Sequence, residues 1–260
     1  MGHVRLGVLP RSKKWRRVVE DLQLGADVGA VATAVAEAAE TSLQNASTDP
    51  AFLQSFWLLT QLPLAARSNQ FTQDLRNLGF QVDDRPVLMD IVAAFSEAVD
   101  RHARELGGRT DLGEMAQMAA VESITALVGS SLPSLFEPTP DEVQHAIGRF
   151  AGGDRFSTLA REFFARLTQR ILNYYLSREL NNHTGPARRF KDDTERREFD
   201  VSLDRHCREA SRIIEAFAGG WYGKNLYGRE GLTPDAVRRF APVAFKKLRE
   251  ELRKRRDADA

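Results

Sequence analysis

Cysteine is nearly missing from this chain. One residue, Cys207, stands among 260, so no intrachain disulfide can form and a reducing compartment is expected. Histidine is scarce too, at five. There is no CxxC pair, no HxxxH pair and no Gly-x-Ser-x-Gly elbow, which removes the common zinc and serine-hydrolase signatures. No window reaches 18 consecutive apolar residues; even the run from Met118 to Val128 is interrupted by Glu122. The opening residues hold no apolar core of the kind a secretory signal needs, and Leu6 stands where a myristoylation motif wants Ser or Thr. Strand-like alternation, fixed-period repeats and low-complexity segments are also lacking. A cytoplasmic protein without a membrane span is expected.

What is present is ordinary globular material: 42% hydrophobic and 28% charged residues, with a net charge of +1. That balance exerts no global pull toward nucleic acid or membrane. The charge is unevenly placed, however. Residues 1–130 hold 12 basic and 16 acidic residues, and residues 131–260 hold 25 and 20. Thirty of the 37 basic residues are arginine, a bias that fits a GC-rich bacterial genome.

The pattern is helical throughout. Phe156 to His183 is the longest unbroken stretch, with Phe156, Leu159, Phe163, Leu167, Ile171 and Tyr174 at steps of three or four. Phe164, Leu172 and Tyr175 widen the stripe, so this helix is expected at the centre. Start signals recur at Ser12, Asp27, Asp49-Pro50, Thr110, Thr139-Pro140 and Thr233-Pro234. Glu142 completes a capping box with Thr139. Stop signals fall at Gly25, Gly79 and Gly107-Gly108. The expected fold is all-α, a multi-helix bundle of about ten helices. The stretch from Gly129 to Pro140 holds three of the ten prolines and marks a boundary. Residues 1–136 would form an N-terminal bundle and residues 137–260 a C-terminal bundle built on the central helix.

Few residues suggest chemistry. Asp200, Asp204, His206 and Cys207 lie close in sequence, but only the two aspartates share a helix face, and no metal site is expected. Glu142 and His145 form one ExxH pair, whereas carboxylate-bridged dimetal bundles need two. The run from Ala218 to Gly231 reads as a glycine-rich loop. It departs from a Walker A motif because Asn225 follows Gly223-Lys224 and Ala218 takes the place of the first glycine. No cofactor motif remains. Trp221, Tyr222, Lys224 and Tyr227 on that run combine aromatic and basic character, as interface anchors do, and are the expected partner-binding residues.

Arg178 and His183 have the spacing Arg, four residues, His. In this hexapeptide, and in being all-helical, the chain resembles HEPN-type ribonucleases, small helical toxins and antiviral effectors. The resemblance implies an Arg and a His acting on an RNA phosphate and ribose hydroxyl. Read from the residues alone, His183 ends a helix before Thr184-Gly185-Pro186, near the negative end of its dipole.

Two basic clusters lie at opposite ends of the sequence. The first holds Arg5, Arg11, Lys13, Lys14, Arg16 and Arg17; the second holds Lys246, Lys247, Arg249, Arg253, Lys254, Arg255 and Arg256. If the ends meet in space they form one patch able to contact phosphates; otherwise they are solvated helix faces. The leading expectation is a non-enzymatic adaptor or scaffold subunit of a bacterial cytoplasmic complex, with another protein as partner. Its rival is nucleic-acid binding or cleavage.

Overall fold

The computed structural model describes residues 12–133 and 137–259, without the side chains of Ser42, Arg178 and residues 255–259. The described residues form twelve α-helices: α1 (Lys13–Gln23), α2 (Val28–Ala38), α3 (Glu40–Ala46), α4 (Pro50–Ala65), α5 (Phe71–Asn77), α6 (Leu88–Glu105), α7 (Asp111–Gly129), α8 (Pro140–Gly148), α9 (Gly153–Leu180), α10 (Asp193–Ala210), α11 (Arg212–Leu226) and α12 (Pro234–Asp259). Single 3-10 turns extend α8 over Arg149–Ala151 and α9 over Asn181–His183. There is no strand among the described residues; Thr184 and Phe190 form an isolated bridge. The all-α expectation holds.

The starts are set by side-chain oxygens that satisfy orphan amides of the first turn. Ser12, Asp27, Asp49, Thr110 and Thr139 each accept such a bond, and Glu142 returns one to the Thr139 amide at 2.8 Å. Asp49 does more. It is buried; its Oδ1 caps α4 at Ala51 and Phe52, and its Oδ2 accepts from the Thr110 hydroxyl at 2.6 Å. Thr110 itself caps α7 at Gly113. The N-termini of α4 and α7 are thereby tied together.

Two expected helices are each divided. The run after Asp27 breaks at Ala39 into α2 and α3, and the helix through Cys207 breaks at buried Ser211 into α10 and α11. Neither Pro63 nor Pro242 ends its helix.

α9 lies at the centre, packed on α7, α10 and α11 and touching α2. Its Phe163 and Phe164 meet Phe52 and Phe56 of α4, while Phe56 stacks on Phe240 of α12 at 5.3 Å. The expected boundary near residue 136 falls between α7 and α8. Helices α2, α4 and α7 before it share this hydrophobic core with α9, α10 and α12 after it.

A candidate partner-docking groove

The glycine-rich run is helical as far as Leu226, which corrects the loop expected from the sequence there; the rest, to Gly231, is turn. Gly219, Gly220 and Gly223 all lie inside α11. Glycine costs a helix interior about 1 kcal/mol relative to alanine, and packing explains why one of them is used. A Cβ at Gly219 would stand 2.9 Å from the Gly153 carbonyl oxygen, and one at Gly153 would stand 2.9 Å from that of Gly219. The backbones of α9 and α11 approach so closely that neither position can carry a side chain.

That approach places the aromatic residues of α11. Tyr222 has no exposed surface. Its ring stacks on Phe156 at 4.0 Å and its hydroxyl donates to the Thr60 carbonyl at 3.3 Å. Burial pushes its phenol pKa up. Tyr222 is therefore a core residue, and its assignment to a partner surface is withdrawn. Trp221, one position earlier, is partly buried and lies 4.3 Å from Phe240. Lys224 is exposed, and Tyr227, just beyond the helix, is 87% exposed.

Trp221 and Lys224 line a groove of about 390 Å³ between α11 and α12. The two helices run antiparallel: Phe217 faces Phe240 at 5.2 Å and Lys247 at 5.5 Å, while Asn225 shares the groove's other end with Ala236. Its apolar lining is Phe217, Trp221, Ala236, Phe240 and Val243, the last 47% exposed. Lys224 and Arg239 are its charged lining residues. Lys247 caps the far end over Phe217. Glu230 pairs with this rim, 3.6 Å from Arg239. Tyr227 does not line the groove. Phe217, Arg239, Phe240 and Val243 were not singled out from the sequence. The signal for them was the matching stripes at 217, 221 and 224 on one helix and 236, 239, 240 and 243 on the next.

A larger groove, about 680 Å³, separates α7 from α9 and is lined by Asp111, Glu114, Met115, Met118, Glu122 and Arg170, among others. Its charges are engaged with each other or with the helix ends. Glu122 binds both Arg166, at 3.3 Å, and Arg170, and Asp111 and Glu114 occupy the first turn of α7, where the dipole favours them. Tyr174 is its one aromatic lining residue, against Phe217, Trp221 and Phe240 in the α11–α12 groove.

The two basic clusters do meet, across acidic residues. Lys14 of α1 and Arg249 of α12 both bind Glu40, at 3.0 and 2.6 Å. Arg17 and Arg253 flank Glu37 at 3.9 and 3.6 Å. Four cations are thus turned inward on two carboxylates. Lys13, Arg16 and Lys246 are exposed, and Lys254 lies 3.9 Å from Glu251. Arg11 and the side chains of Arg255 and Arg256 lie outside the described residues. Lys14, whose ammonium hydrogen-bonds Glu40, and Arg249 hold that carboxyl below its ordinary range against the opposing effect of burial.

α9 ends at Leu180, between Arg178 and His183. His183 sits in the following 3-10 turn, where its carbonyl accepts from the Phe190 amide at 3.0 Å. The Arg178 side chain lies outside the described residues. Cys207 is fully buried, and burial raises its thiol pKa. Asp204 binds Arg208 at 2.8 Å, and Arg208 also reaches Glu162 at 2.7 Å. Among the described residues no group of three or more His, Cys, Asp or Glu is placed to hold a metal ion. None of the described helices is long and apolar enough to cross a membrane.

Comparison with known proteins returns no matching family model, no matching curated protein and no matching solved structure.

Proposed function

We propose that this protein is a non-catalytic helical adaptor of a bacterial cytoplasmic complex, and that it holds a partner protein in the α11–α12 groove. The observation that carries this reading is the groove itself, an aromatic floor open to solvent between two helices with cations along its edge. Aromatic anchors in a concave site concentrate binding energy, and flanking charges set register and partner choice. Trp221 and Lys224 were marked for this role by residue type, and both line the α11 wall of one concavity.

The test is a photo-crosslinking amino acid placed at Val243, with exposed Met89 on α6 as control. The tagged protein is expressed in its own host and irradiated. A discrete crosslinked protein at position 243, absent at position 89, is the expected result. Equal labelling at both positions, or none at 243, overturns the reading.

A second reading has one observation in its favour. α1 and α12 bring the two basic clusters side by side, as phosphate contact would need. Capture of RNA or DNA that is lost at higher salt would support it. Retention of no nucleic acid at low salt would remove it.

A further inference from the structure

We infer that the occupant of the α11–α12 groove is an acidic amphipathic helix of the partner protein, about three turns long; this rests on the docking reading above. α11 presents Phe217, Trp221 and Lys224 at spacings of four and three, and α12 presents Arg239 or Phe240, Val243 and Lys247 in the same rhythm. Two antiparallel helices with matched stripes leave between them the hollow that a third helix fills, ridge into groove. A strand would find no edge to pair with, since the described residues contain none.

Length follows from the helical rise. At 1.5 Å per residue Phe217 to Asn225 covers roughly 12 Å and Ala236 to Lys247 roughly 17 Å, and the longer wall matches about three turns of an occupant helix. Its apolar stripe would seat on the partly exposed Phe217 and Trp221 and on Val243.

Charge selects the sign of the remaining positions. Every ionisable residue lining the groove is cationic, and Lys247 adds a third cation at the Phe217 end. Glu230, which pairs with Arg239, is itself exposed and 3.6 Å away, so an incoming carboxylate can replace it. Acidic side chains flanking the apolar stripe would find partners along both edges. Basic ones would find repulsion, and repulsion is how such a surface rejects other helices. α12 adds one more polar feature. Pro242 has no amide hydrogen, so the Arg238 carbonyl one turn back lacks its usual helical donor.

The experiment is a selection from a displayed library of helix-forming 16-residue peptides, varied at every position, against the full-length protein. The best enriched peptide is then synthesised with a fluorescent label and its binding followed by anisotropy. Enriched sequences should carry Asp and Glu around large apolar residues at spacings of three and four. Val243→Glu should weaken the labelled peptide at least tenfold, and Lys224→Glu with Arg239→Glu should do the same. The wild-type affinity should fall with added salt. Both changes lie on exposed or rim positions, and circular dichroism checks that the variants fold. Basic or neutral consensus sequences, no enrichment, or unchanged binding to Val243→Glu overturns the inference. The crosslink at Val243 separates the two levels. A crosslinked partner together with a non-acidic consensus removes the acidic helix but leaves the docking groove; no crosslink removes the groove.

Discussion

Replacing Tyr222 by alanine should damage the fold rather than the docking surface. The side chain is wholly buried, stacks on Phe156 at 4.0 Å and donates its hydroxyl to the Thr60 carbonyl at 3.3 Å. Truncating a buried aromatic residue costs about 3–5 kcal/mol, because the transfer energy is lost and the cavity closes only in part. For a chain of this size that corresponds to a melting point lower by roughly 6–20 °C. Tyr222→Phe keeps the ring and loses a long hydrogen bond, so it should cost about 1 kcal/mol or less. Urea unfolding followed by circular dichroism and by tryptophan fluorescence measures both. The phenol adds a second handle. Burial raises its pKa above the unfolded value, so the neutral phenol is favoured in the folded state. Its stabilising contribution is complete below the unfolded pKa of about 10, and it declines as pH rises beyond that value. Tyr222→Phe should therefore flatten the alkaline limb of the stability profile. An alanine variant that loses less than about 1 kcal/mol yet abolishes partner binding would refute the reasoning and return Tyr222 to the surface.

Other consequences are equally direct. Cys207 should not react with Ellman's reagent in the native protein, since it is buried and its thiolate is disfavoured, and one thiol equivalent should appear on denaturation; rapid native labelling would contradict the packing of α10. Gly113→Ala should destabilise by about 1–3 kcal/mol, because its Cβ would fall 2.6 Å from that of Ala51 and 2.9 Å from the Thr110 hydroxyl. Gly129→Ala on the same helix, with nothing within 4 Å, should be neutral or mildly stabilising by thermal melt. Glu40→Gln should cost less than about 1 kcal/mol near neutral pH, as partly exposed pairs do. The Glu40 carboxyl pKa is lowered by Lys14 and Arg249, so its contribution is present above the unfolded value and fades as pH falls through the lowered one; a chemical-denaturation series from pH 3 to 7 should show a shallower acid limb in the variant.

Six helix starts, at Ser12, Asp27, Asp49, Thr110, Thr139 and Thr233, were legible because each is written in a few neighbouring residues, whereas α3, α9 and α11 start without a side-chain cap. Asp49-Pro50 and Thr139-Pro140-Glu142 specify cap geometry without reference to the rest of the chain. The central helix was legible for a similar reason, since its periodicity is sustained across 28 residues. α11 was not. Three glycines in five residues argue for a loop on intrinsic preference, and the preference is overridden by something 66 positions away in sequence, the Gly153 backbone against Gly219. The same distance problem hid the groove. Each of its walls is an incomplete stripe on a separate helix, and the stripes gain meaning only when α11 and α12 fold back on each other. For the basic ends, residue types pointed to the cations, while Glu37 and Glu40, which draw them together, are unremarkable in sequence.

The placement of α2 has a consequence for synthesis. Val31, Ala32 and Val35 are fully buried, and α2 packs on α12, where the Thr33 hydroxyl donates to the Leu252 carbonyl across 219 residues. A ribosome adding roughly 5–20 residues per second would take about 10–40 s to cover that interval. Throughout that time the growing chain carries an apolar helix without its final neighbour. Early-made helices must therefore wait in a partly open state, and a trigger factor or similar holding chaperone has a defined, time-limited surface to cover.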